Sequence, residues 1–340
     1  MSVMRKASWV IAAAVALATT ATAGGLALAE TTQADGVIRA YNNNIENLVI
    51  NHGGEDEKCT RVSGPEHLES MLVDDEGKTG TDAVEPPDIM TLQQLRGTGQ
   101  ANAYADQLST MFGFKTGTYK AIVAWEDPQP WGGSHHCADQ SLGDLKKKQT
   151  NAILYNTKTL DLAAGDVSKY WSAGWLPEGA DYDGGKGCKL YNQDSHDSGA
   201  KLKWKWKRTS AISARFTTKD TGVSVFAATM HLPEQNSKYA CAGNATAGYD
   251  DSGIRFGGTA KQLLDDSTIR IIGLDANRQG VGPDTLDSLD MQGYGSAATL
   301  GSKKIDYLFA TASSVQDSPI DHTVDGTLSN HKALYGFIEY

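Results

Sequence analysis

The chain has 340 residues, with 41 Asp and Glu against 31 Lys and Arg and a formal net charge of −10. That balance disfavours sequence-independent attraction to a nucleic-acid backbone, so a phosphodiester substrate would need local positive groups or a metal ion to hold it. Beyond residue 29 no stretch is apolar enough to span a bilayer as a helix, and neither a coiled-coil heptad nor an internal repeat is present.

Arg5 and Lys6 precede an Ala-rich apolar run, Trp9 to Ala29, that ends in Ala27-Leu28-Ala29 before Glu30. A positive start, an apolar middle and small residues at the minus-three and minus-one places form a secretory signal peptide over residues 1–29. Cleavage after Ala23 and an uncleaved anchor are the alternatives. Export leaves one domain, residues 30–340, with a charge of −12 once Arg5 and Lys6 are gone. Cys59, Cys137, Cys188 and Cys241 then meet an oxidising compartment, where two structural disulfides are expected. Three pairings are open, and Cys59–Cys137 with Cys188–Cys241 is the favoured one.

In chain order, Val37–Tyr41 reads as the first strand and runs into Asn42-Asn43-Asn44-Ile45. Ile89–Leu92 follows Pro87-Asp88 and leads into Gln93-Gln94. Tyr104, Leu108, Met111 and Phe112 recur at helical spacing. Tyr119–Trp125 and Asn151–Tyr155 are further strands. Two polar stretches, Glu126–Lys148 and Gly174–Ala200, each hold one cysteine and read as disulfide-pinned surface loops. Lys201–Arg208 alternates strictly, placing four lysines on one face and Leu202, Trp204, Trp206 and Arg208 on the other. It is either a solvated edge strand or a strand that contacts substrate phosphates, with Arg208 among the contacts. Strands at Ser210–Thr217, Val223–Met230, Thr268–Leu274, Ile305–Ala310 and Ala333–Glu339 follow, and Phe256, Ala260, Leu263 and Leu264 mark a second helix. Val223–Met230 is apolar on both faces, so its sheet must be covered on both sides. The expected fold is an α/β (α+β) four-layer sandwich of two packed mixed sheets flanked by helices.

Several polar residues stand at strand ends. Asp275 and Asn277 are two apart just past a strand, so both side chains can enter one site, where a carboxylate and an amide suit a hard cation and an anionic oxygen; an Asx turn is the structural alternative. His231 closes a buried strand and could protonate or bind a leaving oxygen. His331, oriented by a carboxylate such as Asp306, would make a general base for water. His135-His136-Cys137 with Asp139 has metal-ligand residue types, but an expected disulfide at Cys137 and the Gly-flanked loop around it make a metal site the lesser reading. Asp181-Tyr182-Asp183 and Asp250-Asp251 are acidic turns that complete no calcium loop.

Taken in order, Asn44, Pro87-Asp88 with Leu92-Gln93-Gln94, Asn151-Ala152-Ile153-Leu154, His231, Asp275-Ala276-Asn277, Ile305-Asp306-Tyr307 and Ser329-Asn330-His331 resemble the motif series of the deoxyribonuclease I-like (endonuclease/exonuclease/phosphatase) superfamily. The resemblance spans essentially the whole mature chain. It implies a secreted, metal-dependent phosphoric ester hydrolase that attacks with activated water. His231, Asp275, Asn277, Asp306 and His331 would be the catalytic set. Asn44, Asn151, Arg208 and Asn330 would contact substrate, and Asn44, Gln94 and Asp275 would hold Mg2+, Mn2+ or Ca2+. The substrate would be a nucleic acid, a phospholipid headgroup or a small phosphoester, and the protein a monomer with no stable partner. Two positions depart from the family: its metal-ligating Glu is Gln94, and the Asp before the terminal His is Asn330. Each amide loses the charge and the bidentate grip of a carboxylate, which implies weak metal binding. Glu46 could supply a replacement carboxylate, although an adjacent surface Glu is the plainer expectation. A catalytically inactive, exported binding or toxin-like protein is the alternative function.

Overall fold

A computed structural model describes residues 36–52, 58–74, 76–79, 83–128, 137–172, 190–192, 210–231, 264, 266–277, 279, 290–314 and 322–340. The elements in order are β1 (Val37–Asn44), β2 (Val49–Asn51), β3 (Cys59–Arg61), α1 (Gly64–Met71), β4 (Ile89–Leu95), α2 (Thr98–Met111), β5 (Tyr119–Val123), α3 (Gln140–Lys146), β6 (Thr150–Asn156), β7 (Leu160–Ser172) and β8 (Leu190–Asn192). The chain continues through β9 (Ser210–Thr218), β10 (Ser224–His231), β11 (Ile269–Asp275), β12 (Met291–Tyr294), β13 (Asp306–Thr311), β14 (Thr323–Val324) and β15 (Ala333–Glu339). One sheet has the order β14-β15-β1-β4-β6-β5, the other β12-β13-β11-β10-β9-β7-β8, and β2-β3 form a ribbon. β1 runs parallel to β4 and β10 parallel to β11, while the other ladders are antiparallel.

The period-2 pattern of the strands builds the layers. Ile38, Ala40, Ile89, Ile153, Val225, Ala227, Ile271, Leu308 and Ala310 point between the sheets and form one core. Tyr41, Met90, Leu92 and Leu154 point the other way and meet Leu68 and Met71 of α1 and Tyr104 and Leu108 of α2. Phe226, Ala228, Met230 and Leu274, on the outward side of the second sheet, are fully buried too, as a sheet covered on both faces requires. The sandwich is therefore the one expected, and the nine strands expected outside Lys201–Arg208 are all present. Among the described residues no helix is long and apolar enough to cross a membrane.

Eight of the described elements escaped the sequence pattern: α1, α3, β7, β12 and the short strands β2, β3, β8 and β14, of which β8 falls in the stretch Gly174–Ala200 expected as a loop. α1 opens with a capping box, Ser63 accepting from the backbone of Glu66 while the Glu66 side chain accepts from Ser63, with Pro65 in its first turn. α3 replaces part of the loop expected over Glu126–Lys148; Asp139 Oδ1 caps it by accepting from the amides of Ser141 and Leu142. β7 is long and pairs with β9, and β12 extends the second sheet. The expected Cys59–Cys137 disulfide is formed. The signal segment, Cys188, Cys241, Asp181–Asp183, the Lys201–Arg208 strand and most of the Phe256–Leu264 helix lie outside the described residues, although Leu264 itself is helical and buried.

Candidate functional site

Alternation along the inter-sheet face has a chemical direction. β1 presents Ile38, Ala40, Asn42 and Asn44; β4 presents Ile89, Thr91 and Gln93; β10 presents Val225, Ala227, Thr229 and His231; β11 presents Ile269, Ile271, Gly273 and Asp275. Each strand starts apolar and ends polar, so the carboxyl ends of two parallel pairs place their polar residues together, where open α/β sheets carry their sites. Below that end the sheets touch through a buried polar layer. Gln93 Nε2 donates to Asn42 Oδ1 (2.7 Å) and Thr229 Oγ1 (2.8 Å), and Thr91 Oγ1 donates to Asn42 Oδ1 (2.9 Å). Gly273 makes the approach possible: a Cβ there would lie 1.9 Å from Thr91 Oγ1 and 2.5 Å from Asn42 Oδ1.

Strand register sets the upper row. His231 pairs with Asp275 across β10–β11, and Asp275 pairs with Asp306 across β11–β13. His231 Nε2 is 3.4 Å from Asp275 Oδ2, and Asn44 Nδ2 donates to the same oxygen from the opposite sheet at 2.7 Å. Asp275 Oδ1 accepts from the Asn277 amide at 2.9 Å, closing the Asx turn that the sequence offered as an alternative. His331 Nδ1 lies 3.0 and 2.9 Å from the two Asp306 oxygens and 4.0 Å from Asp275 Oδ2. The His331 carbonyl accepts from Asn43 Nδ2 at 2.9 Å, and its amide donates to Ser329 Oγ at 3.1 Å, so the backbone that carries the ring is held from both sides.

Burial and charge compete in this row. Burial pushes the Asp275 carboxyl above its ordinary value, and neighbouring Asp306 adds to the rise; His231, His331 and Asn44 oppose it. Burial alone would depress the His331 imidazole. The Asp306 carboxylate, helped by Asp275 and Glu46, overrides it and lifts the ring to about 10. His331 is thus an imidazolium at neutral pH, with Nδ1 committed to Asp306. One ligand atom each from Asp275, Asp306 and His331 lies within 4.8 Å of the others, a buried group that could hold a metal ion.

The other half of the site is built differently. Between Leu92 and Leu95 the β4–β6 ladder carries a bulge, so Gln93 and Gln94 oppose Asn151 alone, and Gln94 adopts φ 57°. Asn151 is fully buried. Gln94 Oε1 accepts from Gln149 Nε2 at 3.0 Å. The Asn330 side chain is exposed and donates to the Asn51 carbonyl. Glu46 is not the surface residue that its sequence neighbourhood suggests. It is buried, with Oε1 2.8 Å from Lys146 Nζ and Oε2 accepting from the Asn330 amide at 3.0 Å. Asn44 is committed at both ends, since its Oδ1 accepts from the Glu46 amide.

These donors do not fit Mg2+ at the place the sequence motif assigns to it. Mg2+ needs hard oxygens at close to ideal octahedral geometry, normally with one or two carboxylates. Here the amide oxygens of Asn44 and Gln94 already accept hydrogen bonds, and the nearby carboxylate, Glu46, is neutralised by an ammonium group. Arg208 lies outside the described residues. Sequence reasoning assigned no role to Asn42, Gln93, Thr229 or Lys146. Period-2 alternation back from Asn44 and His231 would have found Asn42 and Thr229, and alternation along β4 from Ile89 through Thr91 would have found Gln93, but Lys146 had no local signal.

No protein-family model and no curated protein matches the sequence. Solved structures do match. The endonuclease/exonuclease/phosphatase from Beutenbergia cavernae superposes with a TM-score of 0.51 at 14% identity, over 89% of this chain and 72% of that one. The human Nocturnin catalytic domain with bound sulfate anion gives 0.50 at 14% identity, over 89% of this chain and 93% of that one. At such identity the likeness establishes the fold, the two-sheet sandwich of the endonuclease/exonuclease/phosphatase proteins.

Proposed function

We propose that the chain is an exported phosphoester hydrolase in which water attacks phosphorus directly, with no covalent enzyme intermediate. The observation that carries this is the buried row His231–Asp275–Asp306–His331, with a protonated, carboxylate-held imidazole 4.0 Å from a carboxylate whose own basicity is raised.

In this reading Asp275 orients the water and accepts its proton as the new P–O bond forms. A carboxyl group with a raised pKa is the better base for that step. His331 gives the Nε2 proton to the leaving oxygen as the old P–O bond breaks, and Asp306 steadies the ring throughout. His231 and the side-chain amide of Asn277 stabilise the phosphoryl oxygens, while Asn44 holds the Asp275 carboxylate in place. Asn151, Asn330 and Arg208 are the remaining proposed substrate contacts. A divalent cation (Mg2+, Mn2+ or Ca2+) would be held weakly, by the carboxylates of Asp275 and Asp306, since the protonated His331 ring has no lone pair to offer, and no step above runs through it. Nucleic acid, phospholipid headgroup and small phosphoester remain the substrate classes to separate, and the protein acts as a monomer.

The test is hydrolysis of plasmid DNA, sphingomyelin and an activated phosphodiester by the mature, disulfide-intact protein, with and without divalent cations, beside a His331→Ala control. Turnover that vanishes in the control supports the proposal. Absence of turnover on every substrate sinks it in favour of an exported binding protein, the reading that Gln94 and Asn330 support.

A further inference from the structure

Lys146 lies a hundred residues from Glu46 in sequence, yet its ammonium sits on that carboxylate with both side chains largely out of solvent, 17% and 9% exposed. The contact is built from several directions. The Cys59–Cys137 disulfide ties the segment leading into α3 to β3. The Lys146 carbonyl accepts from Asn47 Nδ2 at 3.1 Å and from Gln149 Nε2 at 3.2 Å, and Lys146 Nζ also donates to the Val49 carbonyl at 3.2 Å. Gln149 in turn holds Gln94. On the other partner, Glu46, Asn47 and Leu48 have φ 47°, 60° and 58°. Three successive non-glycine residues in the left-handed region are a strained turn that only a surrounding structure can impose. This turn carries the buried Glu46 side chain, which reaches the Ser329-Asn330-His331 segment. Glu46 Oε2 accepts from the Asn330 amide, and Ser329 Oγ, which donates to the Asn44 carbonyl at 2.6 Å, lies 3.5 Å from it.

A positive charge therefore already occupies the half of the site where the motif's amides replace carboxylates. Gln94 cannot recruit a divalent cation by charge, and Glu46 has given its negative charge to an ammonium. We propose that Lys146 is the resident cation of this site: its fixed positive charge, held on Glu46 beside Asn44 and the His331 segment, replaces the divalent metal ion on that side, so that phosphoester turnover does not require a metal. The inference rests on the proposed hydrolase reading for its catalytic consequence, but the metal-binding part stands without it. Lys146 acts here as a positioning residue. An ammonium offers a point charge with three donors and no coordination demand, so it can balance Glu46 and the approaching phosphate without the water-ordering octahedron of Mg2+.

Two measurements decide it. Calorimetry with Mn2+ on the mature, disulfide-intact protein should show no binding tighter than about 1 mM, whereas Lys146→Met, by releasing Glu46, should gain Mn2+ affinity by about tenfold or more. Lys146→Arg keeps the charge and should not gain it. In the activity arm, hydrolysis of an activated phosphodiester by the unaltered protein should survive chelator. It should fall about tenfold or more in Lys146→Met, stay near normal in Lys146→Arg and recover in Lys146→Met on addition of Mn2+. Tight Mn2+ binding by the unaltered protein, loss of its turnover in chelator, or no gain of Mn2+ by Lys146→Met would each overturn the proposal. Should no substrate be turned over at all, the hydrolase reading fails while the calorimetry still decides the role of Lys146.

Discussion

The two halves of the site rest on different scaffolding. His231, Asp275 and Asp306 stand side by side on three adjacent strands of one sheet, and ladder register alone fixes their spacing. Glu46, Gln94 and Lys146 hang instead from a strained turn, a bulge and the last residue of a seven-residue helix. Regular strands hold a chemical row by hydrogen bonds that extend far beyond the site. A turn, a bulge and a short helix hold theirs by a few side-chain contacts and one disulfide. The first half should thus be intolerant of chemical change but structurally robust, and the second open to rearrangement.

The sharpest way to break this contrast is substitution at equivalent chemical cost. Asp275→Asn and His331→Ala should each lower phosphoester turnover by about 10²–10⁴-fold, the range for losing a positioned acid or base. Gln94→Ala, which removes the contact with Gln149, should cost less than about threefold in the same assay. Equal losses at Gln94 and Asp275 would show that the amide takes part in the chemistry.

The disulfide tests the second half by its support. Changing Cys59 and Cys137 to Ser together opens a loop 78 residues apart in sequence and should lower unfolding stability by about 2–4 kcal/mol, read as a shift in denaturant midpoint. The same variant should lose part of the Lys146 effect, with weak Mn2+ binding emerging in calorimetry, while the His331–Asp306 pair stays intact. A stability change with no change in cation binding would detach Lys146 from the staple.

Gly273 tests the first half at its closest approach. A methyl group there meets Thr91 and Asn42 at distances that force a shift, so Gly273→Ala should destabilise by about 1–3 kcal/mol and loosen the buried polar layer under Asp275. Unchanged stability would mean the sheets can part without strain, against the rigid half of the comparison.

What could be read from the sequence divides along the same line. The strands under His231, Asp275 and Asp306 announce themselves by apolar alternation, and the polar residues that end them follow from period 2. His331 was legible from the Ser329-Asn330-His331 motif near the C-terminus. Glu46 was misplaced at the surface because its burial depends on Lys146, and no local pattern links residues a hundred positions apart. α3 hid in a polar stretch whose helical signal is about two turns and a cap, too short to show a periodic face. α1 was missed for a different reason: Ser63, Pro65 and Glu66 were a readable start signal, but eight residues give little periodicity to confirm it.

The smallest expected effect lies away from the chemistry, in the helical layer over the first sheet. His67 is fully buried, its Nδ1 2.7 Å from the Tyr104 hydroxyl of α2, and burial lowers its pKa to about 3. A base whose folded pKa is depressed below its unfolded value of 6.5 binds its proton more readily when unfolded, so the unfolded state gains as pH falls. The stability due to neutral His67 is complete above pH 6.5 and is withdrawn progressively towards pH 3. Between pH 6.5 and 5 the loss should be about 1–2 kcal/mol, and His67→Gln should flatten that slope while lowering stability at pH 7. Because His67 touches neither half of the site, the flattening should leave turnover at neutral pH unchanged. A matching fall in turnover would instead tie the α1–α2 contact to the strained turn at Glu46–Leu48, through Gln100 of α2, whose Nε2 donates to the Asn47 carbonyl.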